Sequence, residues 1–363
     1  MRLVARGCLT GIVLAAALWP NAYAGAQEAT KIRALLPIPN FDESFAPVAV
    51  AQEMGYFKEE GLDVTIIPVN GSKEVAIQVS AGNADVGLAS PADAVIGMQS
   101  GTNLDVQYYS NLYYQNIWPL SVVEDSPIKS VKDLKGKKIG VLSIGSTGIT
   151  FGRAYVKEAG FNPQSDVTFV PIGAGGQALT AIRQGVVDAL VFNDAALAKF
   201  SVLGLKTRRL PVSDELRDLP DTSILARPGN IEKKRAQLVG FARAIAKGYL
   251  FTVTNTPAAV KLTWKIRPEA EPKNMKPEDA LKQGVAVTQA RMAIWSSPKA
   301  NGVSGAFIEG DWKNLVAFLK ELGSLREDVP LSRIYTTALT SDINKFDRDA
   351  VIAQAKAFKL DSK

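Results

Sequence analysis

Apolar residues occur along the chain in short continuous runs that alternate with helix-spaced positions. The run from Val64 to Pro68 is long enough for a buried strand, and a proline ends it. Val75, Ala76 and Val79 then fall at helical spacing, and an apolar run at 86–88 predicts the next strand. Strands and helices that alternate at this rhythm form parallel β-α-β units with right-handed crossovers, so the pattern predicts an α/β protein.

The same pattern occurs twice. A segment that begins at Val64 aligns without a gap with one that begins at Val167, and Pro68, Gly82 and Asp85 each find the identical residue 103 positions later. Proline ends a strand and glycine suits the left-handed residue after a helix, so these residues mark the same boundaries in both copies. We therefore expect two similar α/β lobes.

The first strand of each copy precedes these segments, at 31–36 and 138–142, and opens into a polar loop. In the first copy Ser72 is predicted to cap the first helix, and Ser90-Pro91 to begin the second. The second copy predicts a strand at 189–192 that ends at two polar residues. Each copy thus places polar side chains directly after its strands.

The stretches 106–123 and 222–226 are strand-like and are interpreted as two crossovers between the lobes. The second crossover would return the chain to the first lobe. The remaining helices are expected to decorate that lobe. They are predicted at 231–254, from Pro257, from Pro277, at 306–322 and at 348–358.

A chain of 363 residues suits two domains of about 150 residues each. The predicted organisation is a leader at 1–24, the first part of lobe 1 at 25–115, lobe 2 at 116–221, and the return to lobe 1 at 222–363.

Residues 1–24 have the order of a secretory signal peptide. Arg2 and Arg6 precede or begin an apolar run, and small residues surround Tyr23 at the cleavage site. The run is too short to span a bilayer as a helix. Cys8 precedes the run, whereas a lipoprotein cysteine would follow it, so we expect a soluble exported protein cleaved after Ala24.

Two absences exclude much chemistry. The sequence has no histidine, and Cys8 is its one cysteine. Ser–His–Asp or Cys–His catalysis, imidazole or thiolate metal sites and disulfides are therefore excluded once the leader is removed, and we expect no cofactor and no metal. The net charge of +6 falls to +4 without Arg2 and Arg6, and no long basic block occurs, so no nucleic-acid partner is expected.

Several short motifs resemble those of one family. They read GYFKEEGLDV at 55–64, GNADVG at 82–87 and DLKGKKIGV at 133–141, and NKFD at 344–347 resembles a C-terminal feature of the same group. In order and spacing they are similar to the nitrate/sulfonate/taurine and thiamine-pyrimidine binding proteins of ABC importers. The resemblance implies a type II periplasmic binding fold and a monomer in the periplasm. It also implies that a small molecule is delivered to an ABC permease and its ATPase subunits.

The GYFKEEGLDV stretch itself is interpreted as framework. Its counterpart in the second copy begins at Gly160-Phe161, again with a ring after the glycine that ends a helix. We expect the ring to cover a helix–sheet junction and the charged turn to be solvated.

Ligands of open α/β sheets bind beyond the carboxyl ends of the strands, where helix N-termini present free N–H groups. The candidate ligand-binding residues lie on the loops after the predicted strands and on the first crossover: Asn40, Phe41, Asp42, Ser44, Ser72, Ser90, Asp93, Tyr113, Asn116, Ser146, Thr147, Gln177, Asn193 and Asp194.

Each of these signals has a structural alternative. Ser146 and Thr147 suit anion binding at a helix start, but ordinary capping explains them equally well. The glycines at 173–176 favour a tight turn over a phosphate cradle, since the P-loop lysine is missing. Tyr113 and Tyr114, with Phe41, could sandwich a flat ligand or simply pack.

The ligand class stays open between a heterocyclic or aromatic compound and a sulfonate-like anion. The acids of the candidate loops weigh against a bare anion, which a buried Arg or Lys would serve better. Two rival functions also stay open. One is an enzyme on the same fold that makes a pyrimidine or menaquinone precursor, although such chemistry resembles reactions that rely on histidine. The other is a periplasmic ligand sensor.

Overall fold

The computed structural model describes residues 28–39, 41–102, 104–144 and 146–359. The predicted leader with its cleavage site and the candidate Asn40 lie outside the described residues. In the described part, the strands are β1 Thr30–Leu36, β2 Leu62–Pro68, β3 Val86–Ala89, β4 Gln107–Asn111, β5 Leu120–Val123, β6 Lys138–Val141, β7 Thr168–Pro171, β8 Ala189–Val191, β9 Thr207–Arg209 and β10 Ser223–Ala226.

These strands form two five-stranded sheets of the same topology. The orders are β2-β1-β3-β10-β4 and β7-β6-β8-β5-β9. In each sheet four strands run in one direction, and the strand that arrives by a crossover, β10 or β5, pairs antiparallel with both of its neighbours. The prediction of two similar α/β lobes joined by two crossovers is confirmed.

The repeated aspartates do the same work in both lobes. The Asp85 carboxylate accepts a hydrogen bond of 2.9 Å from the Arg33 backbone N–H, and the Asp188 carboxylate accepts one of 2.8 Å from the Lys138 backbone N–H. The backbone N–H of each aspartate donates in return to the carbonyl of the same partner. The aspartate thus ties the start of one parallel strand to its neighbour, which explains why both copies carry it.

The helices that cover the sheets are α1 Ala46–Glu53, α2 Tyr56–Glu59, α3 Ser72–Ser80, α4 Pro91–Gly97, α5 Thr147–Glu158, α6 Gly175–Arg183, α7 Asp194–Val202, α8 Asp214–Arg217, α9 Pro228–Lys233, α10 Arg235–Thr254, α11 Thr256–Ile266, α12 Pro277–Met292, α13 Glu309–Glu321, α14 Leu331–Ile334, α15 Thr340–Ile343 and α16 Arg348–Ala357. None of the described helices is both long and apolar enough to cross a membrane.

Two local predictions are wrong. Ser72 is the first residue of α3 and does not cap it, because its Oγ accepts the backbone N–H of Ser90 at 2.8 Å. The single helix predicted at 231–254 is broken at Lys234, whose φ of −116° and ψ of 30° leave helical geometry. The Lys234 ammonium donates to Asp85 at 2.7 Å and fixes the chain between α9 and α10.

The C-terminal helices do not only decorate lobe 1. Helix α10 packs on α1 as expected, but α12 packs on α7 of lobe 2. On α13, Phe318 stacks on Phe151 of α5 at 5.5 Å, and Glu321 pairs with Lys157 at 2.9 Å. One apolar core accordingly runs from lobe 1 into lobe 2, with Trp312 and Leu315 of α13 among its residues.

The GYFKEEGLDV stretch is framework, but its charged turn is not solvated throughout. The Phe57 ring is buried and stacks on Phe241 of α10 at 5.4 Å. Glu60, whose side chain is only 13% exposed, accepts from Arg243 at 2.8 Å and pairs with Lys247 at 3.4 Å. The turn is held to α10 by charge as well as by ring packing.

Candidate functional site: the cleft between the lobes

The loop after β1 meets helix α7 of lobe 2 in the region between the lobes, which is called the cleft below. Asp42, on the loop after β1, accepts from Lys199 of α7 at 3.5 Å across this cleft. The Asp42 carboxylate also accepts from the backbone N–H and the hydroxyl of Ser44, at 3.1 and 2.6 Å. It thus caps the short 3₁₀ helix at 43–45 and contacts the second lobe at the same time.

A buried ion pair joins α12 to the start of α7, the helix that borders the cleft. Arg291 of α12 donates from Nε and Nη2 to the Asp194 carboxylate at 2.8 and 2.6 Å. Its Nη1 lies 3.3 Å from the Tyr113 hydroxyl, and its guanidinium lies over the Tyr113 ring at 5.0 Å. All three residues are buried. Burial opposes the charged guanidinium, but Asp194 and Tyr113 outweigh that effect and hold the pKa of Arg291 well above its usual range.

A second carboxylate lies in the same environment. Asp221, on the returning crossover, is buried, and its Oδ1 accepts the Thr222 backbone N–H at 2.7 Å. Burial raises the pKa of Asp221 to about 6, although Arg291 and the hydrogen bonds from Thr222 oppose the rise. This buried environment therefore holds one guanidinium and two acids, and burial raises the pKa of one of these acids, Asp221, to about 6.

Glu43 anchors the loop after β1 to the C-terminal helices. Its buried carboxylate accepts from the indole Nε1 of Trp264, and its backbone carbonyl accepts from the Thr288 hydroxyl at 3.3 Å. Burial raises the pKa of Glu43, and the hydrogen bond from Trp264 opposes that rise. Helices α11 and α12 therefore fix the position of this loop.

Asn116 joins the first crossover to helices α5 and α8. Its amide donates to the Leu216 carbonyl at 2.7 Å and to the Tyr155 hydroxyl at 3.0 Å, and its Oδ1 accepts the Trp118 backbone N–H at 2.8 Å. Near it the backbone of Tyr113 exchanges hydrogen bonds with 221–222. The side chain of the candidate Asn116 is thus occupied by contacts within the protein.

The candidates of lobe 2 lie at helix starts. Asn193 caps α7, since its Oδ1 accepts the Ala196 backbone N–H at 2.8 Å. Ser146 precedes α5 and donates its hydroxyl to the Ser143 carbonyl at 2.9 Å, with no side-chain hydrogen bond to the helix start. Thr147 and Gln177 are exposed at the first turns of α5 and α6.

The remaining candidates of lobe 1 comprise three polar residues at helix starts and one buried ring. Ser72 and Ser90 bond to each other, and Asp93 is exposed in the first turn of α4. Phe41 is buried against Phe45, beneath the guanidinium of Arg267 at 5.4 Å. The Phe41 ring is therefore covered by protein in this conformation.

The NMT1/THI5-like family matches residues 42–259, more than half of the chain. The chain belongs to the NMT1/THI5-like family. Riboflavin-binding protein RibY of Chloroflexus aurantiacus is 24% identical over 322 residues, 87% of each chain. The 4-amino-5-hydroxymethyl-2-methylpyrimidine phosphate synthase of Legionella pneumophila is 23% identical over 305 residues, 82% of this chain and 88% of its own.

Solved structures give the same fold. The periplasmic aliphatic sulphonate-binding protein SsuA of Escherichia coli matches with a TM-score of 0.60 at 17% identity, over 84% of this chain and 91% of that chain. The predicted type II periplasmic binding fold and the predicted family resemblance are both confirmed.

The sequence analysis did not identify Arg291, the buried cation that pairs with Asp194, as a candidate site residue. Arg291 lies on a helix predicted to decorate lobe 1, and no motif marks it. Asp221 falls between the second lobe and the returning strand, where the sequence predicts a crossover without naming a site residue. No sequence signal marks either residue, because Arg291 meets Asp194 only through the packing of α12 on α7 and Asp221 is buried only by the tertiary fold.

Proposed function

We propose that the chain is the periplasmic solute-binding component of an ABC importer, which closes its two lobes over a small organic molecule. The single observation that carries this function is the Arg291–Asp194 pair between the lobes. It gives the closed form a specific interlobe contact at the point where ligands of this fold class bind. The closed form would then be recognised by the permease and its ATPase subunits.

The lobe boundaries stay at 25–115, 116–221 and 222–363, with α12 and α13 added to the contacts of both lobes. A monomer suffices for this function, because the repeat supplies both halves of the cleft within one chain. Export through a signal peptide cleaved after Ala24 would bring the protein to the periplasm.

The cleft and the relatives support two ligand classes. A riboflavin-binding relative and a sulphonate-binding structural neighbour fit a heterocyclic or aromatic compound and a sulfonate-like anion, respectively. Arg291 supplies the buried cation that an anion needs, but Asp194 already pairs with it. This pairing favours an uncharged heterocycle, which would enter between the open lobes and contact the candidate residues when the lobes close.

An enzyme is the second candidate, since a relative is a pyrimidine phosphate synthase. Against it, the chain has no histidine, so no side chain has an unperturbed pKa near neutral pH. A sensor role would use the same cleft without transport, and a permease encoded beside this protein would favour the importer.

Native mass spectrometry of protein purified without denaturation tests the proposal. We expect a 1:1 adduct of a small organic molecule that is released unchanged on denaturation and rebinds in calorimetry. Ser146→Ala should weaken rebinding at least several-fold. Asn193→Ala should do the same, with Asn193→Asp as the matched variant that keeps the helix cap. Release of a chemically altered compound would instead support the enzyme.

A further inference from the structure

A cavity of about 230 Å³ lies in lobe 1, apart from the candidate residues of the cleft. It is bounded by α10, by the end of β4 with the start of the first crossover, and by the loop at 295–305. Nothing in the function proposed above uses it.

Aromatic and aliphatic side chains form most of its wall. Tyr249 of α10 and Trp295 stack with their ring centres 5.8 Å apart and their planes 15° apart. Val253 and Val303 also line the cavity and are 42% and 39% exposed, which places apolar surface where the cavity opens to solvent. Exposed apolar surface of this kind beside an aromatic-lined cavity is typical of a ligand site.

The polar part of the wall has one sign of charge. Arg348 is the cation that lines the cavity, and no acidic side chain lines it. Among the described residues Arg348 makes no ion pair, and its guanidinium lies 5.8 Å from the centre of the Phe346 ring. A ligand with an aromatic ring and a carboxylate would match both features, with the ring inside and the carboxylate at the arginine.

Hydrogen bonds from Asn344 and from the backbone hold the wall in place. The Asn344 amide donates to the Ser304 carbonyl at 2.9 Å, and its Oδ1 accepts the Ser304 backbone N–H at 2.9 Å. The backbone N–H groups of Tyr114 and Asn111 donate to the carbonyls of Ile294 and Gly305. Asn344 begins the NKFD motif, so that motif positions the loop that closes the cavity.

Size limits the occupant to one ring. A cavity of about 150 Å³ lined by apolar side chains can hold benzene, whereas pockets for drug-sized ligands span about 300–1,000 Å³. We propose that this cavity is a second binding site, distinct from the cleft, for a single-ring aromatic carboxylate. The site does not depend on the proposed transport function, because none of the candidate residues of the cleft lines the cavity; its wall residue Trp295 meets the candidate Tyr113 edge-on, with ring centres 5.0 Å apart.

Calorimetry with benzoate as the probe tests the site on the full chain. We expect one benzoate to bind with a Kd below about 1 mM. Arg348→Gln should weaken benzoate about fivefold, as an exposed charge contact allows, and should leave benzyl alcohol unaffected. Arg326→Gln, an exposed arginine elsewhere in the chain, is the matched control and should change neither.

Two further variants block the cavity. Ala246→Phe fills it from α10, and Val303→Trp covers it from the exposed rim, where folding is less at risk. Either folded variant should abolish benzoate binding and leave the cleft ligand bound as before. No benzoate binding to the unmodified chain, or equal binding by the Val303→Trp variant, would overturn the proposal. Loss of cleft binding in the same variant would also overturn it, because the two sites would then not be distinct.

Discussion

Arg291 and Asp194 form a bidentate, buried ion pair that joins helix α12 to the start of helix α7. The two residues are distant in sequence, and only Asp194 belongs to the repeat, since Arg291 lies on a C-terminal helix. Their pairing makes a C-terminal helix part of the interlobe surface, and it fixes one arrangement of the lobes.

Removal of one partner should be costly. Arg291→Met leaves Asp194 buried without a counter-charge, and we expect the free energy of unfolding to fall by about 3–5 kcal/mol. The double variant with Asp194→Asn should recover a large part of that loss. Denaturant unfolding of the four proteins gives the coupling energy.

The exposed pair is the matched control for this cycle. Lys199→Met breaks the contact to Asp42. The side chains of Lys199 and Asp42 are 39% and 28% exposed, so the free energy of unfolding should fall by no more than about 1 kcal/mol. A loss of similar size in both single variants would contradict the role assigned to Arg291.

Asp221 should make stability depend on pH. Its folded pKa of about 6 lies above the ordinary value near 3.8, so the folded state binds its proton more tightly than the unfolded state. Stability from this group is present below about pH 4 and is lost as the pH rises through 6. Asp221→Asn should therefore raise the free energy of unfolding at pH 7.5, by up to about 3 kcal/mol, and change it little at pH 4.

Thermal unfolding at both pH values measures this difference. Asp63→Asn, on an exposed position of β2, controls for simple loss of a surface charge. The account fails here if Asp221→Asn has the same effect at pH 4 and pH 7.5.

Asp85 and Asp188 should contribute different amounts to the free energy of unfolding. Asp188→Ala removes one hydrogen bond to a strand N–H and should cost about 1 kcal/mol. Asp85→Ala removes the same bond and also the Lys234 contact at 2.7 Å, so we expect a larger loss, near 2 kcal/mol. Asp63→Ala should stay within about 0.5 kcal/mol. Equal losses for Asp85 and Asp188 would show that Lys234 adds nothing.

The charged turn of GYFKEEGLDV provides a pair of neighbouring variants. Glu60→Gln weakens two ion pairs of a carboxylate that is only 13% exposed, and we expect a loss of about 1–2 kcal/mol. Glu59→Gln weakens one pair of a 52% exposed carboxylate and should cost less than about 0.5 kcal/mol. Chemical denaturation checks both, and the reverse order would mean that the turn is solvated after all.

The sequence predicts the strands, the crossovers and the repeat because each depends on local patterns. Pro68 and Gly82 mark boundaries that their own backbones dictate, and the structure keeps them, with φ of 80° at Gly82. The prediction that Ser72 caps α3 was wrong because a capping serine and a serine that bonds to a neighbouring loop cannot be told apart in the sequence. Arg291 was not predicted as a site residue because its partner Asp194 lies in lobe 2. The periodicity of a helix does not show which surface that helix packs against.

Energy transfer between labels on the two lobes tests the central claim most directly. Cys8 is the only cysteine of the sequence, so a Cys8→Ser chain with Ile77→Cys and Thr180→Cys carries labels at equivalent exposed positions of α3 and α6. Saturation with the compound found by native mass spectrometry should shift the transfer efficiency to a single closed value. Arg291→Met should lower the closed fraction without ligand. A transfer efficiency that stays unchanged at saturation would contradict closure of the lobes over a ligand.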